Sequence, residues 1–141
     1  MKFEDFIEKG KVRKGSRDIS KIKSLLQTSN NHLSFLKDQN IDDISAGSIL
    51  VTYYEALREV TEAMCLKEGF RVYSHEAFAY FLKEKDEIPE SVKFDNLRKL
   101  RNSVNYYGEK VNASEVKAAK EQIVELIPYL KNKYLKEFIS D

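Results

Sequence analysis

Turn-forming residues are scarce in this sequence, with five glycines and two prolines among 141 residues. A many-stranded sheet needs such residues every few positions, so the scarcity argues for a few long helices. The single cysteine, Cys65, excludes an intramolecular disulfide framework. Its place beside Met64 in a helical run marks it as a buried, inert thiol. An excess of one charge is missing too: 24 Lys and Arg face 23 Asp and Glu, a net charge of +1. No global field draws this chain to nucleic acid, and any such binding must use a local patch. There is no apolar run long enough to span a bilayer and no signal-peptide pattern, so a cytoplasmic protein is expected. Gly-rich phosphate loops and Cys/His sets with zinc spacing are also absent, so neither a metal nor a cofactor is expected.

What is present describes a globular chain: 42% hydrophobic and 33% charged residues, with no repeat, low-complexity tract or linker. Residues 1–141 are expected to form one domain. Phe3 to Lys9 is a short amphipathic piece, with Phe3, Phe6 and Ile7 on one side and Gly10 as its stop. Lys11, Arg13, Lys14 and Arg17 then form a basic segment, read either as a solvated mobile turn or as an arm facing nucleic acid. Ser16 or Asp18 can cap a helix running to about Lys37. Its His32 is expected at the surface.

The longest helix starts at Asp43 or Ser45 and ends at Gly69, with Ile49, Tyr53, Leu57, Val60 and Met64 as its core stripe. Leu50, Tyr54 and Leu66 widen that stripe, which suits a central helix or one at an interface. Ser74 can cap the helix SHEAFAYFLKEK, and Pro89 opens the next. Asn112 followed by Glu115 has capping-box spacing for the last helix, which Pro128 should kink before Tyr129 to Phe138 continue in register. The expected architecture is all-α: an antiparallel bundle of four main helices with a short N-terminal helix and a small accessory helix, and no strand.

The most informative stretch is FDNLRKLRNSVNYYG, Phe94 to Gly108. On a helix, Leu97, Leu100, Val104 and Tyr107 form one apolar stripe, and Arg98, Arg101, Asn102 and Asn105 form a polar stripe beside it. Arg101 sits at the seam, and a guanidinium there needs a partner because an unpaired buried charge is costly. It either makes a structural ion pair or cap, or faces a cleft and binds phosphate, for which arginine forks and asparagine amides are suited. Spacing does not decide between these. His75, in the first turn after Ser74, is either a local structural residue or a proton-transfer or phosphate contact.

These residues carry a resemblance. The order of elements resembles a HEPN domain, the all-helical fold named from higher eukaryotes and prokaryotes nucleotide-binding proteins, and is most similar to its small stand-alone prokaryotic branch. The resemblance runs through the FIEKGKV segment, through YYEALREVTEAMCLKEGFRVYSHEAFAYFL with its central helix, Gly turn and SHEA-like helix start, and through LRKLRNSVNYYG followed by NASEVKAAKEQIVEL. The family motif is an Arg, a polar residue that is often Asn, and a His after four to six intervening positions. Active members cut RNA without metal, generally as dimers whose motifs face one another across a cleft.

Here Arg101 matches the Arg and Asn102 the polar position, while Tyr106 and Tyr107 stand where the His would fall. The stand-alone branch commonly has Arg, four residues, then Tyr. Arg101 to Tyr106 fits that pattern, with Asn105 where an Asp is often found. A tyrosine hydroxyl, with a pKa near 10, is a poor general base at neutral pH but can donate a hydrogen bond or stack on a base. The resemblance therefore implies a non-catalytic or weakly catalytic homodimer that binds a nucleotide, RNA or a companion through Arg98, Arg101, Asn102, Asn105, Tyr106 and His75. The companion it implies is a small nucleotidyltransferase, the antitoxin of a toxin–antitoxin pair. The alternative is an RNase toxin in which Arg101 stabilises the scissile phosphate, and Asn102 and Tyr106 orient the reacting groups.

Overall fold

The structure, a computed structural model, describes residues 1–139. It is an all-α bundle. Four long helices make its body: α2 (Ile19–Lys37), α3 (Ala46–Lys67), α5 (Ile88–Asn105) and α6 (Ala113–Tyr134). The short α1 (Phe3–Glu8) precedes them, the accessory α4 (His75–Glu84) lies between α3 and α5, and a 3₁₀ turn at Lys136–Phe138 follows. Among the described residues no helix is long and apolar enough to cross a membrane.

Helix α3 is the central element, packing against α2, α4, α5 and α6. That explains why its sequence is apolar around most of its circumference: Leu50, Tyr54, Leu57, Val60, Met64 and Leu66 are all buried. Cys65 is buried among them, and burial pushes its thiol pKa well up, as expected of an inert thiol. The phenylalanines Phe78 and Phe94 meet edge to face, joining α4 to α5 against α3.

Local signals set most helix ends. Asp18, rather than Ser16, caps α2, its Oδ1 accepting from the Lys21 N–H at 3.0 Å. Asn112 and Glu115 form the capping box of α6, with Asn112 Oδ1 accepting from the Glu115 N–H at 2.8 Å and the return bond at 3.2 Å. Pro128 does not end α6, which runs on to Tyr134. Ser74 stands at the cap position of α4 but its side chain makes no capping bond.

Four expectations need correction. The basic segment is not a mobile turn: Val12–Lys14 is a strand, β1, paired antiparallel with β2 (Phe70–Val72) in the register Val12 to Val72. Gly10 and Gly69 turn the chain at positive φ, and a Cβ at Gly69 would collide with the carbonyl oxygen of Gly15. His32 is only part-exposed: its Nδ1 lies 2.9 Å from the buried Glu59 Oε1 on α3. Helix α5 stops at Asn105, short of Gly108, and this turns Tyr107 out to solvent, 77% exposed, instead of extending the apolar stripe. The acidic stretch Glu84 to Glu90 reads in sequence as a turn between helices, yet its Glu87 is buried and accepts from the Tyr129 hydroxyl at 2.8 Å, from Lys133 Nζ at 2.6 Å and from the Tyr134 hydroxyl.

Candidate functional site

Helices α3 and α5 approach closely at Gly47, where a Cβ would stand 3.3 Å from Val104 Cγ1. Beyond that point the solvent edge of α3 carries Glu55, Arg58 and Glu62, spaced three and then four residues apart and so on one face. Opposite stand Arg98, Arg101 and Asn102 of α5. Tyr54 is buried beneath them, and its neighbour in space, His75, opens α4.

Arg101 is the centre of this edge. Its residue surface is 8% exposed, so the guanidinium must find its partners in the protein. Nη1 donates to Asn102 Oδ1 at 3.1 Å and to the Tyr106 hydroxyl at 3.2 Å. Nη2 lies 3.7 Å from Glu55 Oε1. The guanidinium carbon sits 5.3 Å from the ring centroids of both Tyr54 and Tyr106, so two aromatic rings hold the cation. Its Nε–H is buried and, among the described residues, has no acceptor.

Arg58 repeats the pattern: it pairs with Glu55 Oε2 at 2.6 Å and Glu62 Oε1 at 2.8 Å, and its Nε–H is likewise buried without an acceptor. Arg98 donates from Nε to Asp95 Oδ1 at 2.8 Å. Three guanidinium groups thus face three carboxylates, and the edge is close to charge balance.

His75 belongs to the same neighbourhood through Tyr54. Its Nδ1 shares a 3.0 Å hydrogen bond with the Tyr54 hydroxyl, and the two rings stack with centroids 5.8 Å apart. Burial, and then the nearby positive charge of Arg101, hold the imidazole pKa below its ordinary value. It is therefore neutral at pH 7. Burial also pushes the Tyr54 phenol pKa well up, with Arg101 opposing the shift, so Tyr54 remains a neutral phenol.

The structure brings Arg101, Asn102 and Tyr106 into direct contact, and links His75 to Arg101 across the Tyr54 ring. Arg98 lies one turn back and bonds to its own helix. Asn105 is apart from them, on a shallow depression of about 460 Å³ shared with Ile44, Val51 and Val104. The basic segment does not join the cluster through its arginines: Arg13 lies over Tyr73, while Arg17 pairs with Glu137 and lies over Phe138. Sequence reading missed Tyr54, Glu55, Arg58 and Glu62 as site residues. The signal was available in Glu55, Arg58 and Glu62, a charged strip on a largely apolar helix.

Chemically, this edge offers directed N–H donors, an amide and an exposed aromatic face. Its carboxylates are engaged in ion pairs, and among the described residues no group of three His, Cys, Asp or Glu side chains is arranged to hold a metal ion. The class that fold and site define is a small helical bundle with an arginine–tyrosine edge. No known family, curated protein or solved structure matches this chain.

Proposed function

We propose that this chain is a HEPN-like module that binds a nucleotide or single-stranded RNA along the α3–α5 edge and does not cut it. The observation that carries this reading is the setting of Arg101. Its guanidinium lies near the Tyr54 and Tyr106 rings, with Tyr106 exposed beside it. The guanidinium supplies a fixed positive charge suited to a phosphate, and a base can stack on Tyr106, which is 66% exposed. The acid–base groups at hand support a reading without cleavage. His75 Nδ1 is engaged by Tyr54, the carboxylates are paired with arginines, and a tyrosine hydroxyl is a poor base near pH 7.

The reading includes a homodimer across the same edge. The exposed Ile44, Tyr106 and Tyr107 and the half-buried Val51 and Val104 give it apolar contact area at one end. That surface is also the one offered to a companion such as a small nucleotidyltransferase.

The test is incubation of the full chain with a mixed single-stranded RNA pool at low salt without metal, beside Arg101→Ala and Tyr106→Ala. Expected are binding by the wild type that weakens as salt rises, loss of roughly tenfold or more in each variant, and intact RNA throughout. RNA binding unchanged in Arg101→Ala, or no binding at all, overturns the reading. Cleavage by the wild type and not by Arg101→Ala replaces it with the RNase reading.

A further inference from the structure

On the side of α3 away from Arg101, helices α2, α3 and α6 enclose a cleft of about 430 Å³. Its volume falls within the range of small-molecule sites, about 300–1,000 Å³. The walls are mostly apolar, formed by Leu33, Val124, Ile127 and Pro128. Three cations stand around it: Lys37 from α2, and Lys120 and Lys131 from α6. Lys120 and Lys131 are eleven residues apart, three helical turns, and so share one face of α6. Among the described residues no carboxylate lines the cleft, and neither Lys37 nor Lys120 makes an ion pair. Among the described residues Lys131 has only a neutral partner, donating to Asn30 Oδ1 at 3.0 Å. Tyr53 also lines the cleft, and its hydroxyl has, among the described residues, no hydrogen-bond partner.

We propose that this cleft binds a small amphipathic carboxylate, its apolar body on Leu33, Ile127 and Pro128 and its anionic head met by Lys120, Lys131 and the Tyr53 hydroxyl. Apolar walls suit a ligand that gains by leaving water, and ammonium groups free of ion pairs at the margin suit an anion. Neither an arginine fork nor a helix N-terminus lines the cleft, so it lacks the bidentate and backbone donors that would favour a phosphate ester over a carboxylate. The partial burial of Lys131, which holds its pKa below the ordinary lysine value, agrees with a cation lacking a counter-charge. The site shares no residue with the α3–α5 edge and is independent of RNA binding there.

The experiment is calorimetric titration of the full chain with octanoate, octan-1-ol and acetate, together with amide chemical-shift mapping of octanoate on the wild type. Octanoate is expected to bind one to one, with octanol and acetate each weaker by roughly tenfold or more, since each lacks one half of the recognition. The double variant Lys120→Gln/Lys131→Gln is expected to lose roughly tenfold in octanoate affinity. Val124→Glu, at a half-exposed wall position, is expected to abolish binding by placing a like charge in the cleft. Shifts should centre on Leu33, Tyr53 and Ile127. Octanol binding as tightly as octanoate, unchanged affinity in these variants, or shifts centred on another part of the fold overturns the proposal. The mapping needs no variant, so the outcome stands even if one of them folds poorly.

Discussion

Arg101 shows what a single residue does when its surroundings are over-determined. An arginine at a helix seam has to be satisfied inside the protein, and here an amide, a phenol, a carboxylate and two aromatic rings share the work. The need for a partner was legible from the spacing of α5. The identity of that partner was not, because Glu55 lies 46 residues earlier on another helix and is also claimed by Arg58. That sharing sets a prediction. In Arg101→Ala, Glu55 keeps Arg58, so the carboxylate is not stranded and the stability loss should be about 1–2 kcal/mol, below the ~3–5 of a broken isolated buried pair. Urea denaturation measures it, and a loss as large as the isolated-pair figure would make Arg101 chiefly a structural pin. Tyr54→Phe removes the hydroxyl shared with His75 and should cost about 1 kcal/mol in the same assay. The imidazole pKa should stay low in this variant, because burial and Arg101 depress it without the phenol. An imidazole titrating at its ordinary value, read by NMR, would contradict that.

Elements were legible in proportion to how local their signals are. The capping box at Asn112 and Glu115, the Asp18 cap and the stop at Gly10 all lie within a few residues of the backbone groups they govern, and each is found where the sequence placed it. The strand pair was not legible. β1 and β2 have three residues each, too few for a period to show, and all of α2 and α3 lies between them in the chain. What secures the pair is Gly69. Its backbone, at φ +84, accepts the Gly15 N–H at 2.7 Å in a place where no side chain fits. Gly69→Ala should therefore destabilise by about 1–3 kcal/mol, through left-handed strain and the collision with Gly15. Asn112→Ala should cost about 1 kcal/mol through the lost cap. Thermal or urea unfolding checks both. Equal losses near zero would mean that these ends fray without consequence.

The whole molecule is tied together by contacts that no local pattern announces, and Glu87 is the clearest. It stands at the α4–α5 junction and accepts from Tyr129, Lys133 and Tyr134 at the far end of α6, closing the ends of the chain's second half on each other. Burial alone would raise its carboxyl pKa. The Lys133 ammonium and the tyrosine hydroxyls outweigh burial and hold it at about 2, against an ordinary 4.5. A folded-state pKa below the unfolded one contributes stability that is complete above about pH 4.5 and lost as pH falls through about 2.

Glu59 acts in the opposite sense. Burial raises its pKa above 4.5 despite His32, so its ionisation weakens the fold as pH rises through that higher value. The two carboxylates can be separated by measuring urea midpoints from acid to neutral pH. Glu87→Gln should lower the midpoint near pH 7, flatten the acid limb, and converge on the wild type as pH approaches about 2. Glu59→Gln keeps a neutral partner for His32 and should raise the midpoint above that of the wild type near pH 7, the gain shrinking in acid. Parallel acid limbs for wild type and Glu87→Gln would mean that the α5–α6 clamp is open in solution. The closure of the bundle would then rest on its apolar contacts, those of α3 above all.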